Sequence, residues 1–179
     1  VLTGSDNIGA AIMHSIGNEH DAQTIAYWVR SHSTEYGRPK CVIHGEAPDG
    51  WKFLGNGSFR SVWLSPEGVA YKVEHDTSYT YQSVEEVAKL GIAWDKGPIK
   101  GCRLPRFHSY IVGDDDLVVA IEAINGVTLY ESGEKYSPEG LDYYDLLSEI
   151  ESAYRLGDMH DENAIVDEDG YLVPVDFGG

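Results

Sequence analysis

The stretch Gly157-Asp158-Met159-His160-Asp161-Glu162-Asn163, with the return Tyr171-Leu172-Val173-Pro174-Val175-Asp176-Phe177-Gly178-Gly179, decides how this chain is read. Asp158 and Asn163 stand five apart in a loop, and Asp176 ends a strand that follows the turn Asp167-Glu168-Asp169-Gly170. Phosphoryl transfer from ATP needs such groups. One carboxylate accepts or orients the proton of the attacking hydroxyl, while an amide oxygen and a second carboxylate hold Mg²⁺ against the phosphates. Acidic residues are also ordinary surface charges, and the chain has 30 of them, so the pattern takes its meaning from what precedes it.

Working backwards, Pro138 to Leu156 reads as a helix, with Leu141, Tyr144, Leu147, Ile150 and Tyr154 as its apolar stripe. Leu104–Val112 and Leu117–Ile124 read as strands joined by the acidic turn Gly113 to Asp116. Thr80–Ala93 reads as a helix with Val84, Val87, Ala88 and Leu90 on one face. Before it, WKFLG (51–55), SVWLS (61–65) and VAYKV (69–73) make an antiparallel meander, the last two joined at Pro66-Glu67-Gly68. The expectation is five antiparallel strands with one helix inserted after the third, then a helix, a loop and a short hairpin. Further upstream, Asp21–Tyr36 reads as an amphipathic helix closed by Gly37-Arg38-Pro39, and Ile8–Ile16 as a possible second one.

Two features of the meander carry chemistry. Leu54-Gly55-Asn56-Gly57-Ser58-Phe59-Arg60 places two glycines between strands, which lets backbone N–H groups approach an anion. A hairpin turn that merely needs glycine gives the same pattern. The absence of a following GK[ST] excludes a Walker loop, and a strand rather than a helix follows, against a dinucleotide-binding turn. Lys72 interrupts an apolar strand; it is either a solubilising edge charge or a buried cation with phosphate and carboxylate partners. Glu85 and Glu86 follow on the next helix.

The order Gly-x-Gly-x-Phe, V-A-x-K, a Glu-bearing helix, D-x-x-x-x-N and D-F-G resembles the protein-kinase-like superfamily over roughly residues 51 to 179. GDMHDEN is closer to the GDLHxxN of aminoglycoside and other small-molecule phosphotransferases than to the HRDLKxxN of eukaryotic protein kinases. Together with LGNGSF and LPRF, it is also similar to the small serine/threonine kinases of bacteriophages. The resemblance implies an α+β fold with three parts. These are an N-terminal helical extension (1–50), a five-stranded antiparallel small lobe with one inserted helix and a hinge at its end (51–125), and a minimal or truncated helical large lobe (126–179). It implies ATP and Mg²⁺ as cofactors. Gly55, Asn56, Gly57 and Ser58 would cover the phosphates, with Phe59, Val62 and Ala70 also in the ATP site and Ile121 guarding the back of the adenine pocket. Lys72 would bind the α- and β-phosphates and pair with Glu86. Backbone groups of Glu122 and Ile124, in the hinge-like run Ile121 to Leu129, would meet adenine. Asp158 would be the catalytic base, with Asn163 and Asp176 as metal ligands.

The sequence departs from the family at three places. Arg60 replaces the third glycine, either stiffening the loop or bringing a cation towards the γ-phosphate. His160 stands where protein kinases carry lysine, and no arginine precedes Asp158. An ending at DFGG leads us to expect a truncation, a minimal kinase completed by its N-terminal helices or a second copy, or a kinase fold without the reaction.

The totals narrow the partners. Thirteen basic and 30 acidic residues give a net charge of −17, which repels nucleic acid and anionic membranes and attracts basic proteins. Two cysteines, Cys41 and Cys102, fit a reducing compartment, and the seven histidines show no metal-ligand spacing. No apolar run is long enough for a membrane span, and VLTGSDN does not read as a signal peptide, although Val1 suggests a removed leader, tag or initiator. The expected location is cytoplasmic, in a host cell if the origin is a phage. The leading expectation is a protein Ser/Thr kinase with a basic substrate, able to autophosphorylate. The alternatives are a small-molecule phosphotransferase, or an inactive acidic protein that inhibits a basic DNA-binding partner.

Overall fold

The computed structural model describes residues 15–32, 46–57, 59–75, 81–114 and 116–177. In chain order the elements are α1 (Glu19–Ser31), β1 (Lys52–Asn56), β2 (Arg60–Leu64), β3 (Val69–Glu74), α2 (Tyr81–Lys96), β4 (Phe107–Val112) and β5 (Asp116–Glu122). They continue with β6 (Gly126–Thr128), α3 (Leu129–Ser132), α4 (Tyr143–Tyr154), β7 (Ala164–Asp167) and β8 (Leu172–Pro174). The fold is α+β, as expected. Contacts divide it into two compact units: the described residues up to Val84 with Arg106–Ala123, and Glu85–Pro105 with those from Ile124 onward.

The first unit is built on a five-stranded antiparallel sheet in the order β1-β2-β3-β5-β4. Alternation along the strands sends Trp63, Tyr71, Val73, Val118 and Ala120 to one face, where they pack with Ala22, Ile25, Ala26 and Val29 of α1. Those four positions recur at the i, i+3, i+4, i+7 spacing of a single helix stripe. Asn18 caps α1, its side chain accepting from Asp21 N–H at 2.7 Å. Tyr71 Oη accepts from Asn18 N–H at 3.0 Å, Tyr110 Oη donates to the Ile16 carbonyl at 2.8 Å, and Arg30 pairs with Asp116. Burial pushes the Tyr71 phenol up to about 12. The helix that the sequence assigns to an N-terminal extension is thus the cover of the sheet. It begins at Glu19 and ends at Ser31 rather than running from Asp21 to Tyr36. Gly37-Arg38-Pro39, Cys41 and most of Ile8–Ile16 lie outside the described residues.

Helix α2 corrects the sequence reading. Its buried stripe is Ser83, Glu86, Leu90 and Ala93, while Val84 is 53% exposed; of the expected face only Leu90 is fully buried. Hydropathy placed the valines inwards, but the helix buries a carboxylate instead. It also continues to Lys96, three residues past Ala93, and stops at Gly97, whose φ of +80° suits glycine. The strand expected from Leu104 begins at Phe107, since Pro105 cannot donate to a ladder, and β5 ends at Glu122 rather than Ile124.

The second unit contains a small antiparallel sheet, β6-β7-β8. β6 was not read from the sequence because three residues carry too little alternation. α4 starts five residues later than Pro138, with Asp142 as its cap accepting from Tyr144 and Asp145 N–H groups at 2.9 and 3.2 Å. Its buried stripe is Tyr143, Leu146, Leu147, Ile150 and Tyr154, so Tyr143 and Leu146 replace the expected Tyr144 and Leu141. Tyr143 Oη donates to the Gly170 carbonyl at 2.8 Å and Tyr154 Oη to the Gly97 carbonyl at 2.7 Å, which lets both phenols be buried. Arg103 Nε bonds Asp167 at 3.0 Å, and beside it Cys102 is a buried free thiol pushed up to about 12. No helix among the described residues is long and apolar enough to cross a membrane.

Candidate active site

In the first unit, register gathers the expected nucleotide residues. Gly55 lies opposite Val62, Val62 opposite Lys72, Lys72 opposite Val119, and Ala70 opposite Ile121. Directly opposed residues share a face. Gly55, Val62, Ala70, Lys72 and Ile121 therefore occupy one side of the sheet, the side away from Trp63, Tyr71 and α1. Lys72 is 8% exposed, too buried for a solubilising edge charge.

The glycines of the β1–β2 turn answer a question left open by the sequence. Gly57 N–H donates to the Arg60 carbonyl at 2.7 Å, closing the turn. Neither Gly55 nor Gly57 has positive φ. A Cβ at Gly55 would meet nothing within 4 Å, and one at Gly57 only the Arg60 carbonyl at 3.6 Å. Neither φ nor a close contact demands glycine at these two positions, and Gly55 sits where the β1–β2 register shifts. Asn56 and Phe59 are exposed beside them; Ser58 lies outside the described residues.

Arg60 belongs to the sheet rather than to a mobile lip. It is buried and sits opposite Glu74 in the β2–β3 ladder. Glu74 Oε1 accepts from Ser83 N–H at 3.2 Å at the start of α2. Desolvation raises the Glu74 pKa, while the Ser83 N–H and the Arg60 charge pull against that rise. Glu74 thus ties the end of β3 to Ser83; Glu86 is fully buried. Sequence reasoning overlooked Glu74; its signal was a charge alternating with Lys72 on the same strand face.

At the hinge-like run, Glu122 N–H donates to the Arg106 carbonyl at 2.8 Å and its carboxylate lies 3.5 Å from Arg106 Nε. An adenine contact at Glu122 would therefore fall to its carbonyl. Ile124 is half-buried in the second unit. Gly126 has a structural reason of its own, since a Cβ there would meet the Val166 carbonyl at 2.1 Å and break the β6–β7 pairing.

The second unit brings Asp158, Asn163 and Asp176 together. With Lys89, Leu156, Gly157 and Phe177 they line a hollow of about 30 Å³, enough to admit a water-sized group. The loop is held from within. Asn163 Nδ2 donates to the Asp158 carbonyl at 2.9 Å, Asn163 N–H to the His160 carbonyl at 2.9 Å, and Val175 N–H to the Asn163 carbonyl at 3.0 Å. That last bond fastens the approach to Asp176 onto the loop that carries Asn163. Phe177 is buried and anchors the other side, whereas the Asp158 side chain is 78% exposed. His160 Nε2 lies 3.9 Å from Asp158 Oδ2 and 3.0 Å from Asn163 Nδ2.

The donor set fits Mg²⁺. With Asn163 Nδ2 turned to the Asp158 carbonyl, the residues lining the hollow offer Asn163 Oδ1 and the carboxylates of Asp158 and Asp176 as hard oxygens. No cluster of three or more His, Cys, Asp or Glu metal ligands occurs among the described residues. Lys89, one turn beyond Glu86 and 3.3 Å from Glu85, was missed as a lining residue because an i,i+4 pair reads as surface charge. Compared with protein-family models and with curated proteins, the chain has no match.

Proposed function

We propose that this protein is an ATP- and Mg²⁺-dependent kinase that transfers the γ-phosphoryl group to a Ser or Thr hydroxyl of a protein. The observation that carries the reading is the shared hollow of Asp158, Asn163 and Asp176. Asp158, Asn163 and Asp176, picked by order and spacing along the sequence, line one space. The sheet face of Gly55, Val62, Ala70, Lys72 and Ile121 supports it independently.

In this reading Asp158 accepts the proton of the attacking hydroxyl as the new oxygen–phosphorus bond forms and the bond to the ADP oxygen breaks. Asn163 and Asp176 hold the metal. Mg²⁺ when bound offsets phosphate charge in the transition state. Lys72 holds the α- and β-phosphates, and Glu86 is the counter-charge that this cation requires. The turn at Gly55–Gly57 offers backbone N–H groups to the phosphates, while Ala70 keeps the sheet face low enough for a flat base to lie on it.

The test is transfer of ³²P from γ-labelled ATP to a basic acceptor protein and to the chain itself, comparing wild type with Asp158→Ala. Label that requires Asp158 is the expected result. Absence of label from a folded, nucleotide-binding protein would sink the activity.

A further inference from the structure

The loop that carries the candidate base faces two spaces. Its ends, Asp158 and Asn163, line the small hollow, and its middle, Met159 to Asp161, lines a groove of about 370 Å³ against α4. Leu147 and Met159 give the groove an apolar floor, and Tyr144, Glu151, His160 and Asp161 give it polar walls. The two carboxylates are held in place. Glu151 Oε2 accepts from Met159 N–H at 3.3 Å, and Asp161 Oδ2 accepts from Tyr144 Oη at 3.3 Å. Each retains a second oxygen. His160 is the only lining side chain able to carry positive charge, so carboxylates dominate the groove, on a chain of net charge −17.

We propose that this groove binds an arginine or lysine side chain of the acceptor polypeptide, close to the hydroxyl that is phosphorylated. The assignment rests on the kinase reading and names its substrate class. An apolar floor takes the aliphatic stem, fixed carboxylates take the charged head, and the Tyr144 ring adds a face for a guanidinium. Arginine suits the site better than lysine because its planar fork can meet two carboxylates at once. Asp161 is three residues from Asp158, at most about 11 Å along the chain. An extended peptide covers that in about three residues, so the cation belongs within roughly three positions of the acceptor.

The experiment measures binding and transfer separately on the full chain. Fluorescent nonapeptides with alanine at the acceptor position carry one arginine at each of the flanking positions in turn, beside an all-neutral control. Spermine serves as a small polycation competitor, and serine versions are offered with γ-labelled ATP. The expected result is roughly fivefold tighter binding for at least one arginine position, falling at high salt. That preference should vanish in the Glu151→Gln/Asp161→Asn double variant, whose amide oxygens still accept from Met159 and Tyr144 and so keep the loop folded. Equal binding of all peptides, or a preference that survives the double variant, overturns the groove. Spermine binding tighter than any peptide, and lost in the double variant, overturns a peptide as occupant. Label on the serine peptides reports on the kinase reading by itself. Label without charge preference leaves a kinase with no cation groove, whereas charge preference without label leaves a cation groove and removes the kinase.

Discussion

The two faces of the five-stranded sheet are built from the same strands and obey opposite rules. One face buries Trp63, Tyr71, Val73, Val118 and Ala120 under α1, and the phenols of Tyr71 and Tyr110 bond the backbone just before the helix. The other buries Lys72 and sets Arg60 against Glu74, groups whose burial costs free energy. Packing accounts for the first face. The second carries buried charges where hydrophobic residues would make a more stable sheet, and the proposed function is what would give those charges a use.

That contrast can be broken by substitution, and the packed face should give the largest effect. Trp63→Ala should cost about 3–5 kcal/mol by cavity formation. Chemical denaturation should then reveal a strongly lowered midpoint, with nucleotide binding lost only as the fold is lost. A midpoint within experimental error of wild type would mean that α1 does not cover a real core.

Lys72→Met on the opposite face should do the reverse. Phosphoryl transfer should fall roughly a hundredfold, equivalent to about 2.7 kcal/mol, while the unfolding midpoint holds or rises. If Lys72→Met unfolds the protein without a separable effect on transfer, Lys72 is structural and the contrast collapses. Lys89→Met sharpens the site in the second unit. Removing a cation from the hollow shared with Asp176 should tighten binding of Mn²⁺ several-fold by electron paramagnetic resonance. Weaker binding would instead make Lys89 a supporting residue of the metal site.

Glu74 predicts a pH effect on the charged face. Its pKa is raised above the ordinary 4.5, chiefly by desolvation, so the folded state holds the proton more tightly than the unfolded chain. Stability from this group is fully present below the ordinary value and is lost as pH rises through the raised one. Glu74→Gln should flatten that part of the wild-type stability profile; an unchanged slope would show that Glu74 titrates normally. The smallest effect is expected in the second unit, where Arg155 caps α4 at φ 54°. Arg155→Gly should stabilise by about 0.5–1 kcal/mol through relief of the left-handed backbone, read as a small rise in Tm.

The strands of the meander and the order of the elements were legible because alternation and turn residues are local signals. Helix faces were less so. On α2 hydropathy pointed to Val84 and Ala88, but the buried positions include Ser83 and Glu86. On α4 it chose Tyr144 over Tyr143, since the two phenols differ only in whether a carbonyl such as that of Gly170 waits to receive them. A stripe moves by a residue when a polar partner is available across the fold, and one sequence window holds no information about that partner.

By itself the amino-acid sequence determined the α+β class, the five antiparallel strands, the acidic surface and the identity of Asp158, Asn163, Asp176 and Lys72 as the groups to examine. These depend on periodicity, composition and spacing along the chain. Only the tertiary structure decided that α1 covers the sheet, that Arg60 and Glu74 face each other, that Lys89 joins the hollow, and that Met159 to Asp161 open onto an acidic groove. Those are relations between residues far apart in sequence, and they exist only once strand register and helix packing have chosen which side chains meet.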